Sequence, residues 1–309
     1  MKTLKLIIVL ITGLSLMNTV LSEPKFNQPL YSLEFNIYGT GAEIRLNDIP
    51  VYYHDTEGQT SSQKPIPESI INGENILSIK SFPLKDNENK YQENAYIEAI
   101  ISIREKDAPL NENKPVLQLK LSPTNQEDKI LEGTISSLGD KAATVISHSK
   151  LQTIAERRTH IESPFPRWAW QDGQIIENNE DNYTSLLDEY QKIWNTLNSG
   201  DMDKIKKLYD PAAQEFAWAY HYDDKQHGHR LMNTGGFLKE PEWKLGDIKK
   251  FIQKRKYILK VHANGLIAEI LDTQDNKSPI MYLNPNTRLI SFQKFGFYKN
   301  KEDKWVMIR

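Results

Sequence analysis

The densest run of reactive side chains is His221-Tyr222-Asp223-Asp224-Lys225-Gln226-His227-Gly228-His229-Arg230, with three imidazoles and two carboxylates in ten residues. Imidazole and carboxylate both ligate zinc and other divalent ions, so His227 and His229 with Asp223 or Asp224 form a candidate metal set. His-x-His suits a strand, where both rings face one side. Here the run follows a helical pattern and precedes Gly235-Gly236, and no His-Glu-x-x-His signature is present. A solvated polar loop is the favoured reading. No cofactor is expected, a divalent metal at Asp223, His227 and His229 being the one exception considered. A neutral His also serves as a base near pH 7, and Tyr220 and His221 stand at the expected end of a helix.

A second candidate is Ser163-Pro164-Phe165-Pro166-Arg167-Trp168-Ala169-Trp170. Its prolines fix an extended path. Phe165, Trp168 and Trp170 then offer large flat faces. One reading is a stacking platform for a sugar ring or a partner's side chain. The favoured one is a staple, with the aromatics wedged between two cores. Signatures of other classes are absent: there is no Gly-x-Ser-x-Gly, Walker, Rossmann or EF-hand motif. Arg157-Arg158 and Lys254-Arg255-Lys256 are small basic clusters of the kind that usually form solvated surface.

The 309 residues hold 39 Lys plus Arg against 41 Asp plus Glu, a net charge of -2, so no electrostatic argument favours nucleic acid or an anionic membrane as partner. The absence of Cys excludes disulfides, thiolate metal sites, a cysteine nucleophile and lipid attachment through an N-terminal Cys. Residues 1–22 have the form of a secretory signal: Lys2 and Lys5, an apolar stretch over 6–16, then Val20-Leu21-Ser22 before Glu23-Pro24. The expectation is a soluble periplasmic protein with no transmembrane segment after cleavage.

These residues must be positioned by two kinds of element. Tyr31, Leu33, Phe35 and Ile37 alternate with polar residues, as do Leu117, Leu119 and Leu121, and Ile97, Ala99, Ile101 and Ile103 alternate with Glu98, Ile100 and Ser102. Period two marks half-buried strands. Leu77 and Ile79 belong to another, and further strands are expected over 129–136, 142–149 and 151–161. Many short strands with no helix between them predict a β-sandwich over 23–162, followed by a Pro/Trp hinge and linker over 163–181. From Thr184 the period becomes 3.6, with Leu186, Leu187, Tyr190, Ile193, Trp194 and Leu197 on one helix face. Gly200 ends that helix, Asp201 caps a short second one, and Asp210-Pro211 is expected to open a third, through about residue 220. Strands follow over 257–262, 266–272, 279–283, 288–298 and 305–309, so 182–309 is an α+β unit.

Two resemblances refine this. Glu43-Ile44-Arg45-Leu46-Asn47-Asp48-Ile49-Pro50-Val51, followed by Ile71-Asn72-Gly73-Glu74-Asn75-Ile76-Leu77, resembles a segment of jelly-roll domains in the galactose-binding-like class. The resemblance implies a turn at Gly73 that other residues cannot take and side-chain support from Asn75. Trp194-Asn195-Thr196-Leu197-Asn198-Ser199-Gly200-Asp201 resembles the helix, Gly-Asp, helix opening of nuclear-transport-factor-2-like domains. That implies a cone of three helices packed on a curved antiparallel sheet. Some members of that family place an Asp–His pair or a Tyr in the cone pocket. Non-enzymatic members fill it with aromatics, the expectation here for Phe292, Phe295, Phe297 and Tyr298. The order of signal, sandwich, hinge and cone is similar to that of exported proteins of proteobacteria.

The favoured function is a non-catalytic interaction protein of the periplasm, of the immunity or inhibitor kind, with another periplasmic protein as partner. The alternative is a small-molecule binder or weak enzyme using the cone pocket, with His221, Asp223, His227 or His229 as acid, base or ligand. A third reading is carbohydrate binding through the sandwich and Trp168.

Overall fold

Alternation builds the first half. The computed structural model describes residues 26–84, 89–125, 139, 141–149 and 151–308; the export signal read over 1–22 and the strand expected over 129–136 lie outside the described residues. Strands β1 (Pro29–Tyr38), β4 (Thr60–Pro65), β6 (Tyr96–Glu105) and β7 (Lys114–Leu121) form an antiparallel sheet ordered β4-β1-β6-β7. A second sheet contains β2 (Gly41–Leu46), β3 (Ile49–His54), β5 (Gly73–Phe82), β8 (Thr144–Ser149) and β9 (Gln152–Ile161), ordered β3-β2-β5-β9-β8. The alternate apolar residues of both sheets share one core: Leu33, Phe35 and Ile37 of β1 meet Ile44 and Leu46 of β2 and Leu77 and Ile79 of β5. The other face of β2 and β5 is polar, with Glu43, Arg45 and Lys80.

Turn chemistry fixes the register. Asn47 and Asp48 take φ of 55° and 63°, the two-residue hairpin geometry that Asn and Asp tolerate. Gly73 takes φ of 118°, open only to glycine. Asn75 is fully buried; its amide donates to the carbonyls of Ile71 (2.8 Å) and Gly73 (3.0 Å), and its carbonyl accepts from Asn47 (2.9 Å).

In the second half, α1 (Glu180–Ser199) begins at Asn179, whose side chain accepts from the Asn182 amide, and ends at left-handed Gly200. Asp201 caps α2 (Met202–Ala219). The separate third helix expected at Asp210-Pro211 does not exist, because α2 runs through Pro211. Asp210 does not cap: its carboxylate accepts from Lys225 Nζ (2.6 Å) and pairs with His229 Nε2 (2.9 Å). Buried Ala212, Ala213 and Ala217 carry the apolar stripe past the proline. The run expected as a polar loop is α3 (Lys225–Leu231), capped by Asp224, and α4 (Ile248–Lys254) was not anticipated.

The later strands divide between two antiparallel sheets. One is β11 (Tyr257–His262), β12 (Ile267–Asp272), β15 (Phe297–Lys299) and β16 (Trp305–Met307). The other is β10 (Lys244–Leu245), β13 (Met281–Asn284) and β14 (Leu289–Phe292). The single strand expected over 288–298 is therefore two, because Phe295 leaves the ladder for the core, where its carbonyl accepts the Tyr190 hydroxyl (3.0 Å). Tyr190 centres a second core with Leu186, Ile193, Leu259, Ile270 and Phe297. The described residues thus form four antiparallel sheets and four α-helices, none long and apolar enough to cross a membrane. The first core also takes in Ala219, Ala263, Ile267 and Ile308, so it extends across the joint.

One electrostatic anchor stands at the end of β12. Burial pushes the Asp272 carboxyl up in pKa, but the Asp275 amide (2.7 Å), Arg255 (2.6 Å) and the Gln274 amide (3.0 Å) outweigh it and hold the group below the usual range. A depressed folded pKa contributes stability that is present above the unfolded value of about 4 and is lost as pH falls through the folded value. The melting midpoint should therefore fall below about pH 4, and Asp272→Asn should be less stable at pH 7 with a shallower acid limb. Parallel acid limbs in the two proteins would contradict this.

Candidate functional site

Helical geometry disperses the histidine run. Residues two apart on a helix do not face each other, so His227 and His229 on α3 point to different surroundings. His229 is buried, its Nε2 on Asp210 and its Nδ1 3.2 Å from Thr234 Oγ1. This carboxylate–imidazole–hydroxyl chain resembles a nucleophile relay in composition, but Thr234 is only 6% exposed and the chain ties α3 to α2. His227 stacks on Tyr222 (4.3 Å, 9°), over whose ring Lys106 Nζ also lies at 3.5 Å. Asp223 is exposed, and Asp224 is engaged in capping. Asp223, His227 and His229 do not converge, and among the described residues no group of three or more His, Cys, Asp or Glu is placed to hold a metal ion.

The remaining sequence candidates meet at the joint. Phe165, Trp168 and Trp170 are buried in the first core, their faces covered by the chain itself. Trp168 Nε1 donates to the Ile70 carbonyl (2.7 Å), and Phe165 contacts Tyr31, Trp168 and His221 at 5.8, 5.5 and 5.6 Å between centroids. His221 takes φ of 58° and its Nε2 donates to the Pro29 carbonyl (2.9 Å). Tyr220 stacks on Phe216, and burial, then the charge of Glu68, raises its pKa. These rings bind the end of α2 to β1.

One open feature is a cleft of about 350 Å³ between the polar face of β2–β5 and the non-core face of β11–β12. Glu43, Arg45, Lys80 and Phe82 line one wall, and Lys260, His262, Glu269 and Leu271 the other. Arg45 links the walls. Its guanidinium reaches Glu43 (2.6 Å), the Asp48 carbonyl (2.7 Å) and His262 Nδ1 (2.7 Å). A guanidinium only donates, so Nδ1 accepts and the imidazole proton lies on Nε2, 3.8 Å from the Glu269 carboxylate. Lys80, Lys260 and Lys294 line the same space without an ion-pair partner among the described residues. Four cations therefore face two carboxylates in a chain whose net charge is -2.

None of these cleft residues was anticipated as a site. Their signal is the pairing of functional side chains at i and i+2 on strands whose other face is apolar: Glu43/Arg45, Lys80/Phe82, Lys260/His262 and Glu269/Leu271. No known family model matches the chain, and no curated protein matches it. Fold and site define it only as a β-rich protein with a cationic cleft between two sheets.

Proposed function

We propose that the chain is an exported, non-catalytic binding protein of the periplasm that takes up a small anion in the cleft between its halves. The observation that carries this is the convergence of Lys80, Lys260 and Lys294, without ion-pair partners among the described residues, on one concave space beside Arg45. His262 has its lone pair on Arg45, which leaves it a poor base and favours binding over catalysis. The pattern of residues 1–22 supports export.

The same proposal assigns a jelly-roll-like sandwich to 23–162 and a nuclear-transport-factor-2-like cone to 182–309. Gly73 and Asn75 in their turn support the first, and the α1–Gly200–Asp201–α2 corner supports the second. Tyr190, Phe295 and Phe297 pack together between α1 and its sheet, so the cleft replaces the cone interior as the ligand's place.

Thermal melts with citrate, at ionic strength matched with NaCl, test the binding. Citrate at 100 times its Kd should raise the midpoint by roughly 5 °C or more. Lys80→Gln/Lys260→Gln should lose most of that rise. An equal rise in both proteins would remove the proposal.

A second reading, an immunity- or inhibitor-type partner protein, draws on β14. It is the edge of its sheet, with Leu289 59% and Ile290 50% exposed. An unpaired apolar edge is a template for strand addition. Crosslinking in periplasmic extract should give an adduct that Ile290→Lys abolishes; an adduct unchanged in the variant would exclude this edge.

A further inference from the structure

We propose that the ligand of this cleft is an aromatic anion, a flat ring carrying a carboxylate or phosphate; this rests on the cleft being the binding site. The argument begins with a missing side chain. Gly41 on β2 pairs with Phe82 on β5, while Glu43, two residues on, pairs with Tyr53 on β3. Phe82 and Tyr53 therefore lie on strands separated by β2, and side chains on such strands are normally kept apart by the residue between. Here the intervening residue has no Cβ. A Cβ on Gly41 would lie 2.2 Å from Phe82 Cε2, so the phenyl ring occupies the volume that any other residue would fill. It reaches across β2 and stacks on Tyr53 with centroids 5.6 Å apart and planes 26° from parallel.

The result is an aromatic floor spanning three strands. Both rings are only partly buried and both line the cleft. Two stacked rings with planes 26° from parallel present an outer aromatic face on which a planar ligand stacks in offset geometry. The cations are arranged around it. Lys80 shares the strand face of Phe82, two residues away, about 7 Å along the strand. Lys260 and Lys294 belong to the opposite side. A ring seated on the floor thus brings an anionic substituent within reach of lysines from both halves. Glu43, opposite both Lys80 and Tyr53, puts a negative charge beside the floor and disfavours ligands of high negative charge.

Titration of the full chain with indole-3-acetate, phenyl phosphate, acetate and indole, at matched ionic strength, tests this by calorimetry. One of the first two should bind at least about tenfold more tightly than acetate or indole, and which one does so identifies the anionic group. Phe82→Leu keeps apolar bulk but removes the flat face, and should abolish that preference by bringing the aromatic anions down to the affinity of acetate. Lys80→Gln/Lys260→Gln should weaken both aromatic anions and leave indole unchanged. Aromatic anions that bind no better than acetate, or equally well to Phe82→Leu, would overturn the aromatic assignment while the anion site stands. Binding of every probe unaffected by the lysine substitutions would overturn both.

Discussion

Trp168→Ala should lower the unfolding free energy by about 3–5 kcal/mol. Trp168 is 1% exposed and sits where the joining segment enters the first core, against Phe165. Deleting the indole removes the largest fully buried side chain among the described residues and opens a cavity that two sheets and a helix end cannot collapse to fill. It also strips the Ile70 carbonyl, itself on a buried residue, of its Nε1–H donor at 2.7 Å. Trp168→Phe separates the two effects. It keeps most of the packing and loses the hydrogen bond, at a cost of about 1–3 kcal/mol for the unsatisfied acceptor. At roughly 2–4 °C per kcal/mol for a chain of this size, the alanine variant should melt at least about 6 °C lower. Because the first core includes Ala219, Ala263, Ile267 and Ile308, both halves should melt with it in one transition. A variant melting within 2 °C of wild type, on the same scale of roughly 2–4 °C per kcal/mol, would show that the joint does not stabilise the protein.

The residues of that joint show how far a sequence can be read. Phe165, Trp168, Trp170, Tyr220 and His221 stand out by type and by the prolines beside them. Whether their faces meet water depends on elements more than a hundred residues away: Phe165 meets Tyr31, and His221 meets Pro29. The strands of the first half are legible because each buries one face, and period two records that directly. The start of α2 is legible because Gly200 and Asp201 carry specific backbone chemistry. α3 is not, since its seven residues show no apolar period and are held by Gly228 packing and the Asp210–His229 pair. The break between β14 and β15 is also hidden, because Phe292, Phe295 and Phe297 all read as strand until the Tyr190 hydroxyl claims the Phe295 carbonyl. The cleft is the least legible feature. Each wall carries its polar pairs at i and i+2, but nothing local states that Arg45 and His262, 217 positions apart, lie 2.7 Å from each other.

Gly228→Ala should destabilise the protein by about 3 kcal/mol or more, and its sign is the informative part. Helix propensity alone predicts the opposite. Glycine inside a helix costs about 1 kcal/mol relative to alanine, so the substitution in an isolated α3 would stabilise it. The packing overrides that preference. A Cβ on Gly228 would lie 1.7 Å from the Ala213 carbonyl oxygen and 2.5 Å from its carbon. Those atoms are backbone within α2, and no rotamer change moves them aside. α3 must therefore withdraw from α2, breaking the 2.9 Å contact of His229 Nε2 with Asp210 and the 2.6 Å contact of Lys225. Burial raises the Asp210 pKa, and these two partners more than offset it and keep the carboxyl below its ordinary range. In the variant the Asp210 pKa should move back up, visible by carboxyl-resolved NMR titration, while urea unfolding reports the loss of stability. Gly228→Ser, with the same Cβ, should behave alike. A gain in stability from either would mean that α3 tolerates a Cβ against α2, and would break the link from Gly228 to the geometry of Asp210 and His229.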